Sequence, residues 1–169
     1  METSWMGRYR PLVAALVQHG NLASKNLGKR NDIGGGILLS AQEWQIFEHV
    51  LEFHSETFSM ITMSNRLGVP QSSFSRAVKR LCALGLVEKY QAVNNRKNII
   101  LKPTEFGLKL YESNADKLLR EQFKPFFAAL DPLSDEDLER CVRALETLNV
   151  SMDPELQNPE VPQLVKLET

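Results

Sequence analysis

A chain of 169 residues with 43% hydrophobic composition can bury one sizeable core, and nothing in it argues for two independent domains. Its longest unbroken apolar run, residues 12–17, is far too short to span a bilayer and lacks the flanks of a secretory signal, so a soluble, cytoplasmic protein is expected. The net charge of -1 conceals a segregation: residues 66–102 carry Arg66, Arg76, Lys79, Arg80, Lys89, Arg96, Lys97 and Lys102 against the single acid Glu88, whereas residues 131–169 carry ten acids against Arg140, Arg143 and Lys166.

In chain order, Trp5, Tyr9, Leu12, Val13, Leu16, Val17 and Gly20 recur at spacings of three and four, which predicts an amphipathic helix within residues 1–30. Pro11 should begin its regular part or kink it. Residues 31–36, NDIGGG, read as a flexible connection; they and the Gly28–Lys29 pair lack the ending that a nucleotide-binding loop requires. Ser40 then caps a helix over residues 41–53, with Glu43 as its reciprocal partner and Trp44, Phe47, Val50 and Leu51 as its buried stripe.

Two short helices joined at Gly68 and Val69 follow. Ile61, Met63 and Leu67 supply the apolar side of the first, and Pro70 stands where the second begins. The second, residues 71–84, should bury Phe74, Ala77, Val78 and Leu81. Its opposite face then presents Ser72, Arg76, Lys79 and Ala83, flanked by Ser73 and Arg80. Small hydroxyls and cations are what a helix needs to enter a DNA major groove, where bulk clashes and arginine pairs with guanine or phosphate.

Gly85 ends that helix, and residues 86–91 and 98–102 predict two strands whose turn, NNRKN, exposes Arg96 and Lys97. Such a hairpin is a wing able to place an arginine along the minor groove. Thr104 caps a long helix carrying Phe106, Leu110, Tyr111, Leu118, Leu119, Phe123 and Phe127, interrupted or ended near Pro125. Ser134 starts a last helix with Asp137 in the capping-box position and a stripe ending at Leu148. The tail from residue 151, rich in proline and acid, is expected to be disordered or to lie as an arm on a partner subunit.

The fold expected is mainly α with a small two-stranded wing (α+β): an N-terminal helix over 1–30, a winged helix-turn-helix unit over 38–103, C-terminal helices over 104–150 and an acidic tail over 151–169. The segment RLGVPQSSFSRAVKRL followed by GLVEK, together with the order of elements, resembles the MarR family of bacterial transcription regulators. That family's wing usually reads Asp-Arg-Arg before the second strand, then Leu-Thr with a glycine three positions on. Here the matching residues are Asn95, Arg96 and Lys97, then Pro103, Thr104 and Gly107, so the carboxylate of the usual wing ion pair is missing.

The resemblance implies a homodimer, assembled through the first and the last two helices, that binds an inverted repeat of double-stranded DNA and regulates transcription, as a repressor in the expected reading. It implies that Gln71, Ser72, Ser73, Ser75, Arg76, Lys79 and Arg80 on the recognition helix, and Arg96 and Lys97 on the wing, contact DNA. It also implies a small aromatic or anionic effector, for which Trp5, Tyr9, His19 and Trp44 are candidates; each of the four also reads as a packing residue. Independently of it, Trp5, Leu12, Leu16, Phe123, Phe126, Phe127, Leu145 and Leu148 offer more apolar surface than a small winged unit could cover, which a two-fold partner would bury.

Competing readings draw on less of the sequence. Residues 66–102 could form an ordinary solvated face on a winged module used for protein contacts, but that leaves their charge unused. A metal-responsive regulator would need His19, His49 and His54 to converge, yet His49 and His54 are five apart and no HExxH or CxxC accompanies them. Cys82 and Cys141 match no zinc or redox spacing and are expected to be reduced core residues, Cys141 on the stripe of Leu138, Val142, Leu145 and Leu148. No nucleophile elbow, Cys–His pair or paired carboxylates in an apolar setting suggests an enzyme, and no cofactor or metal is expected.

Overall fold

Proline decides where the first regular helix starts. In the computed structural model, which describes residues 4–92 and 95–153 with the side chains of 4, 92, 95–98, 114–119 and 122 excepted, a 3-10 segment over Ser4–Tyr9 leads into α1, Arg10–Asn26. Pro11 sits in the first turn of α1, where its missing N–H costs no hydrogen bond, so it begins the helix and does not kink it.

The segment read as a plain connection is instead a hairpin. Strand β1, Arg30–Asp32, pairs antiparallel with β2, Leu38–Ser40, with Arg30 opposite Ser40. Gly34, Gly35 and Gly36 all take positive φ in the turn, and buried Ile33 and Leu39 anchor it to the core. Strands of three residues are too short to show an alternating pattern in sequence, which is why the hairpin is not legible there.

Helix α2, Ala41–Glu52, opens with the expected capping box: Glu43 N–H donates to Ser40 Oγ at 3.2 Å, and Ser40 N–H donates to Glu43 Oε2 at 2.8 Å. Helix α3, Met60–Arg66, is capped by Ser59, and Gly68 at φ 61° turns the chain into α4, Gln71–Ala83. Met63 is buried as expected, but Ile61 is exposed on the outer side of α3.

Strand β3, Val87–Ala92, and β4, Asn95–Pro103, form the wing. The register runs from Val87 opposite Pro103 to Gln91 opposite Ile99, then jumps to Ala92 opposite Asn95. Strand β4 therefore starts earlier than its alternation suggests, and Arg96 and Lys97 belong to its irregular first residues, not to a five-residue turn. Phe47, Ile46 and Val50 of α2, Met63 of α3, Phe74, Val78 and Leu81 of α4, and Leu86, Val87 and Leu101 at the wing root make one core. Each such side chain contributes about 1.5–3 kcal/mol on burial.

After the wing, Thr104 caps α5, Glu105–Leu110, by accepting from Gly107 N–H at 2.9 Å. A π turn over Tyr111–Ala115 separates α5 from α6, Asp116–Leu130. The expected long helix is thus interrupted at the π turn, while Pro125 lies exposed within α6 without ending it. Helix α7, Asp135–Met152, starts at Ser134 and outlasts Leu148; Asp137 is too short to reach back to the backbone, and Ser134 Oγ donates to its carboxylate at 2.8 Å instead.

Among the described residues, neither α1 nor α7 contains a buried side chain. Phe123 and Phe127 of α6 stack, with Phe126 edge-on to Phe123 and tilted against Phe127, yet all three stay exposed, as do Val142, Leu145 and Leu148 of α7. Cys141 is likewise exposed, because among the described residues nothing covers the stripe it shares. The tail from residue 154 lies outside the described residues.

Candidate nucleic-acid interface

Helix α4 divides cleanly by its period. Phe74, Ala77, Val78 and Leu81 are buried, and Gln71, Ser72, Ser75, Arg76 and Lys79 are exposed. Pro70 O accepts from Ser73 N–H and Phe74 N–H at 2.9 Å each, so the helix starts tightly at the turn from α3. Ser73 is half-buried beside the exposed face.

The guanidinium of Arg76 lies along its own helix. Its Nε donates to Ser72 O at 3.3 Å and a terminal nitrogen donates to Ser73 Oγ at 3.2 Å. Both are long bonds on an exposed face, weak enough to be exchanged for a base edge or a phosphate. Lys79 is exposed one turn further on.

Arg80 is differently engaged. It donates to Leu38 O at 3.1 Å, and its Nε stands 3.2 Å from Glu43 Oε1, out of line for a hydrogen bond, so that attraction is Coulombic. Arg30 approaches the same carboxylate from β1, through Nε to Oε2 and a terminal nitrogen to Oε1 at 3.4 Å each. Burial opposes ionisation of Glu43, but the Ser40 N–H, the Arg30 hydrogen bond and the charges of Arg30 and Arg80 outweigh it and hold the carboxyl below its usual range. One carboxylate thus ties the first hairpin, α2 and the recognition helix together. Sequence reasoning finds Glu43 as a capping residue and misses its two arginines, since no local spacing links Arg30 to Glu43 or Glu43 to Arg80.

On the wing, the side chains of Arg96 and Lys97 lie outside the described residues. Lys89 is exposed on β3. Tyr90 donates to Glu88 at 2.7 Å, a bond that raises the phenol pKa and keeps it protonated. Lys102 donates to the carbonyls of His54 and Glu56, and Arg66 stacks over Phe58 at 4.2 Å and Phe53 at 5.0 Å. These two cations pin the segment between α2 and α3 and are not free surface charge.

The four candidate effector residues do not converge within the chain. Trp44 is 8% exposed; it stacks on Tyr111 at 5.7 Å and meets Phe47 edge-on, while Tyr111 donates to Glu48 at 3.3 Å. Trp5, at 81% exposure, and Tyr9 lie on the 3-10 segment, and His19 is exposed on α1. His54 is exposed with Nδ1 2.7 Å from Leu51 O, whereas His49 is half-buried against Phe53. Among the described residues no group of three or more His, Cys, Asp or Glu side chains is placed to hold a metal. Burial pushes the Cys82 thiol up, Lys89 opposing and Glu88 adding to the shift. Among the described residues no helix is long and apolar enough to cross a membrane.

The MarR family model matches residues 39–97, which run from β2 through the helix-turn-helix into β4. No curated protein sequence matches the chain. Among solved structures, the MarR/EmrR family transcriptional regulator from Acinetobacter sp. ADP1 is 21% identical, with a TM-score of 0.62 over 86% of this chain and 96% of that one. The PcaV transcriptional regulator from Streptomyces coelicolor, solved with its natural ligand, is 14% identical, with a TM-score of 0.58 over 90% of this chain and 100% of that one. The S. aureus MepR–DNA complex is 12% identical, with a TM-score of 0.55 over 86% of this chain and 94% of that one. The family match and the fold coincide on the same elements: residues 39–97, which match the MarR family model, form a winged helix-turn-helix, and the chain shares the fold of these solved structures.

Proposed function

We propose that the protein is a sequence-specific, homodimeric repressor of transcription that binds an inverted repeat in double-stranded DNA. The observation that carries this reading is the two-sided recognition helix, with Gln71, Ser72, Ser75, Arg76 and Lys79 exposed opposite a fully buried stripe. Arg96 and Lys97 would add wing contacts, and Ser73 a phosphate contact at the helix edge. Arg80, tied to Glu43, acts on the duplex mainly through its charge. A two-fold pair of such helices addresses half-sites about 10 base pairs apart, centre to centre. Such a regulator works where the DNA is, in the cytoplasm.

The likeness to MepR in complex with DNA supports the polyanion partner, and the likeness to ligand-bound PcaV supports a ligand-responsive regulator; the ligand we propose is a small aromatic or anionic effector that releases the DNA. The unpartnered faces of α1, α6 and α7 support the dimer, with Trp5, Tyr9 and His19 brought towards Trp44 on assembly.

The test is a titration of labelled duplexes: a site selected from a random library by the purified protein, and a random-sequence control. Arg76→Ala should weaken the selected site by about tenfold or more while leaving the control less affected, as expected for a base contact. Equal losses would reduce Arg76 to a phosphate contact. No binding to any duplex would favour the winged fold as a protein-interaction module.

A further inference from the structure

Beside the recognition helix, a polar cleft of about 230 Å³ opens between the first hairpin, the start of α2 and α4. Arg30, Arg76 and Arg80 reach it from three elements, with Ser40 and Ser73 contributing hydroxyls and Glu43 the only carboxylate in the lining. Three guanidinium charges against one carboxylate leave the cleft with an excess of two positive charges.

The charge is held in place. Glu43 fixes Arg30 and Arg80 at 3.4 and 3.2 Å, so their outer donors are oriented before any ligand arrives. Arg30 is half-exposed and Arg76 lies at the rim on long, exchangeable bonds. The cleft sits on the Ser73–Arg80 flank of α4, beside the exposed face proposed to enter the major groove. Arginine forks suit the tetrahedral oxygens of a phosphodiester.

We infer that this cleft takes a backbone phosphate of the bound duplex and that Arg30, from a hairpin outside the helix-turn-helix and wing, is a DNA contact. The inference rests on the DNA-binding reading above and adds to it a residue that lies outside the segment matching the family. Arg30 acts on position and affinity, not on sequence choice, because a phosphate carries no base identity.

Two substitutions in the full-length protein test it. Arg30→Ala should weaken the selected and the random duplex by the same factor, about tenfold, and lower the slope of log affinity against log salt by about one. Glu43→Gln keeps the shape of the capping residue and removes its charge; it should tighten binding to both duplexes and steepen the slope. Because the carboxylate also ties Arg30 and Arg80, Glu43→Gln should lower the thermal midpoint in any case; binding to both duplexes weaker than that of the wild type, at a temperature where the variant remains folded, would overturn the inference. So would Arg30→Ala with affinity and slope unchanged while the wild-type protein binds well. Failure of the wild-type protein to bind either duplex would sink the DNA reading itself, and this inference with it.

Discussion

Gly107 lies so close to Leu86 that a Cβ at position 107 would stand 2.4 Å from the Leu86 carbonyl oxygen. That same carbonyl accepts from Thr104 N–H at 3.1 Å, and Thr104 Oγ1 donates to Gly85 O at 2.5 Å. The root of the wing, the end of the recognition helix and the start of α5 are therefore locked in one knot of backbone. Gly107→Ala should cost about 2–3 kcal/mol, because backbone has to move to admit the methyl group. A urea midpoint equal to that of the wild-type protein would contradict this packing.

Acid should destabilise the protein in two separable steps. His49 packs on Phe53 with 4.6 Å between ring centres, and burial lowers its pKa below 6.5, Glu52 opposing and Arg66 adding to the shift. Folding then favours the neutral ring, so this contribution is intact above 6.5 and is lost as pH falls below it. Glu43, whose folded pKa is lowered, contributes above 4.5 and loses that contribution only as pH falls through its still lower folded value. Each proton changes stability by at most about 1.4 kcal/mol per pH unit. Denaturation midpoints across the acid range should show both steps, and His49→Leu should flatten the first alone; a first step that survives in this variant would assign it to another group.

Oligomeric state is accessible by sedimentation at micromolar concentration, where the proposed dimer should persist. Phe126, 56% exposed beside Phe123 and Phe127, is the aromatic residue of α6 most open to a partner. Phe126→Asp places a charge in the interface twice by symmetry and should weaken association on the order of thirtyfold or more. A wild-type monomer under these conditions would end the dimer proposal.

Arg96→Ala reports on the wing. The pairing register jumps between Gln91 and Ala92, so residues 96–98 have no partner pairs on β3 and form the irregular end of the hairpin. Loss of one phosphate contact there should lower the salt slope by about one. An unchanged slope would remove the wing from the charged interface.

What the sequence makes legible follows one physical rule: periodic burial is visible, and long-range pairing is not. The stripe Phe74, Ala77, Val78 and Leu81 follows from helical spacing, and the Ser40–Glu43 box from a separation of three. Arg80 lies on the flank of the same helix, and whether that flank meets DNA or a carboxylate depends on Glu43, to which no local pattern connects it. In the sequence Arg66 and Lys102 add only to the basic count, for the same reason; their partners are aromatic rings and carbonyls brought near only by folding. The β1–β2 hairpin escapes notice because three-residue strands carry no usable period.

The π turn at Tyr111–Ala115 has a rotational consequence. Such a turn holds about one residue more than an α-helical turn, and each residue advances a helix by about 100°. The aromatic face of α6 is therefore set in phase, relative to the Trp44–Tyr111 stack, by a single surplus residue. Deleting one residue from this turn would leave every side chain of α6 and α7 chemically intact and swing their apolar faces about a quarter of a revolution away from where they now point.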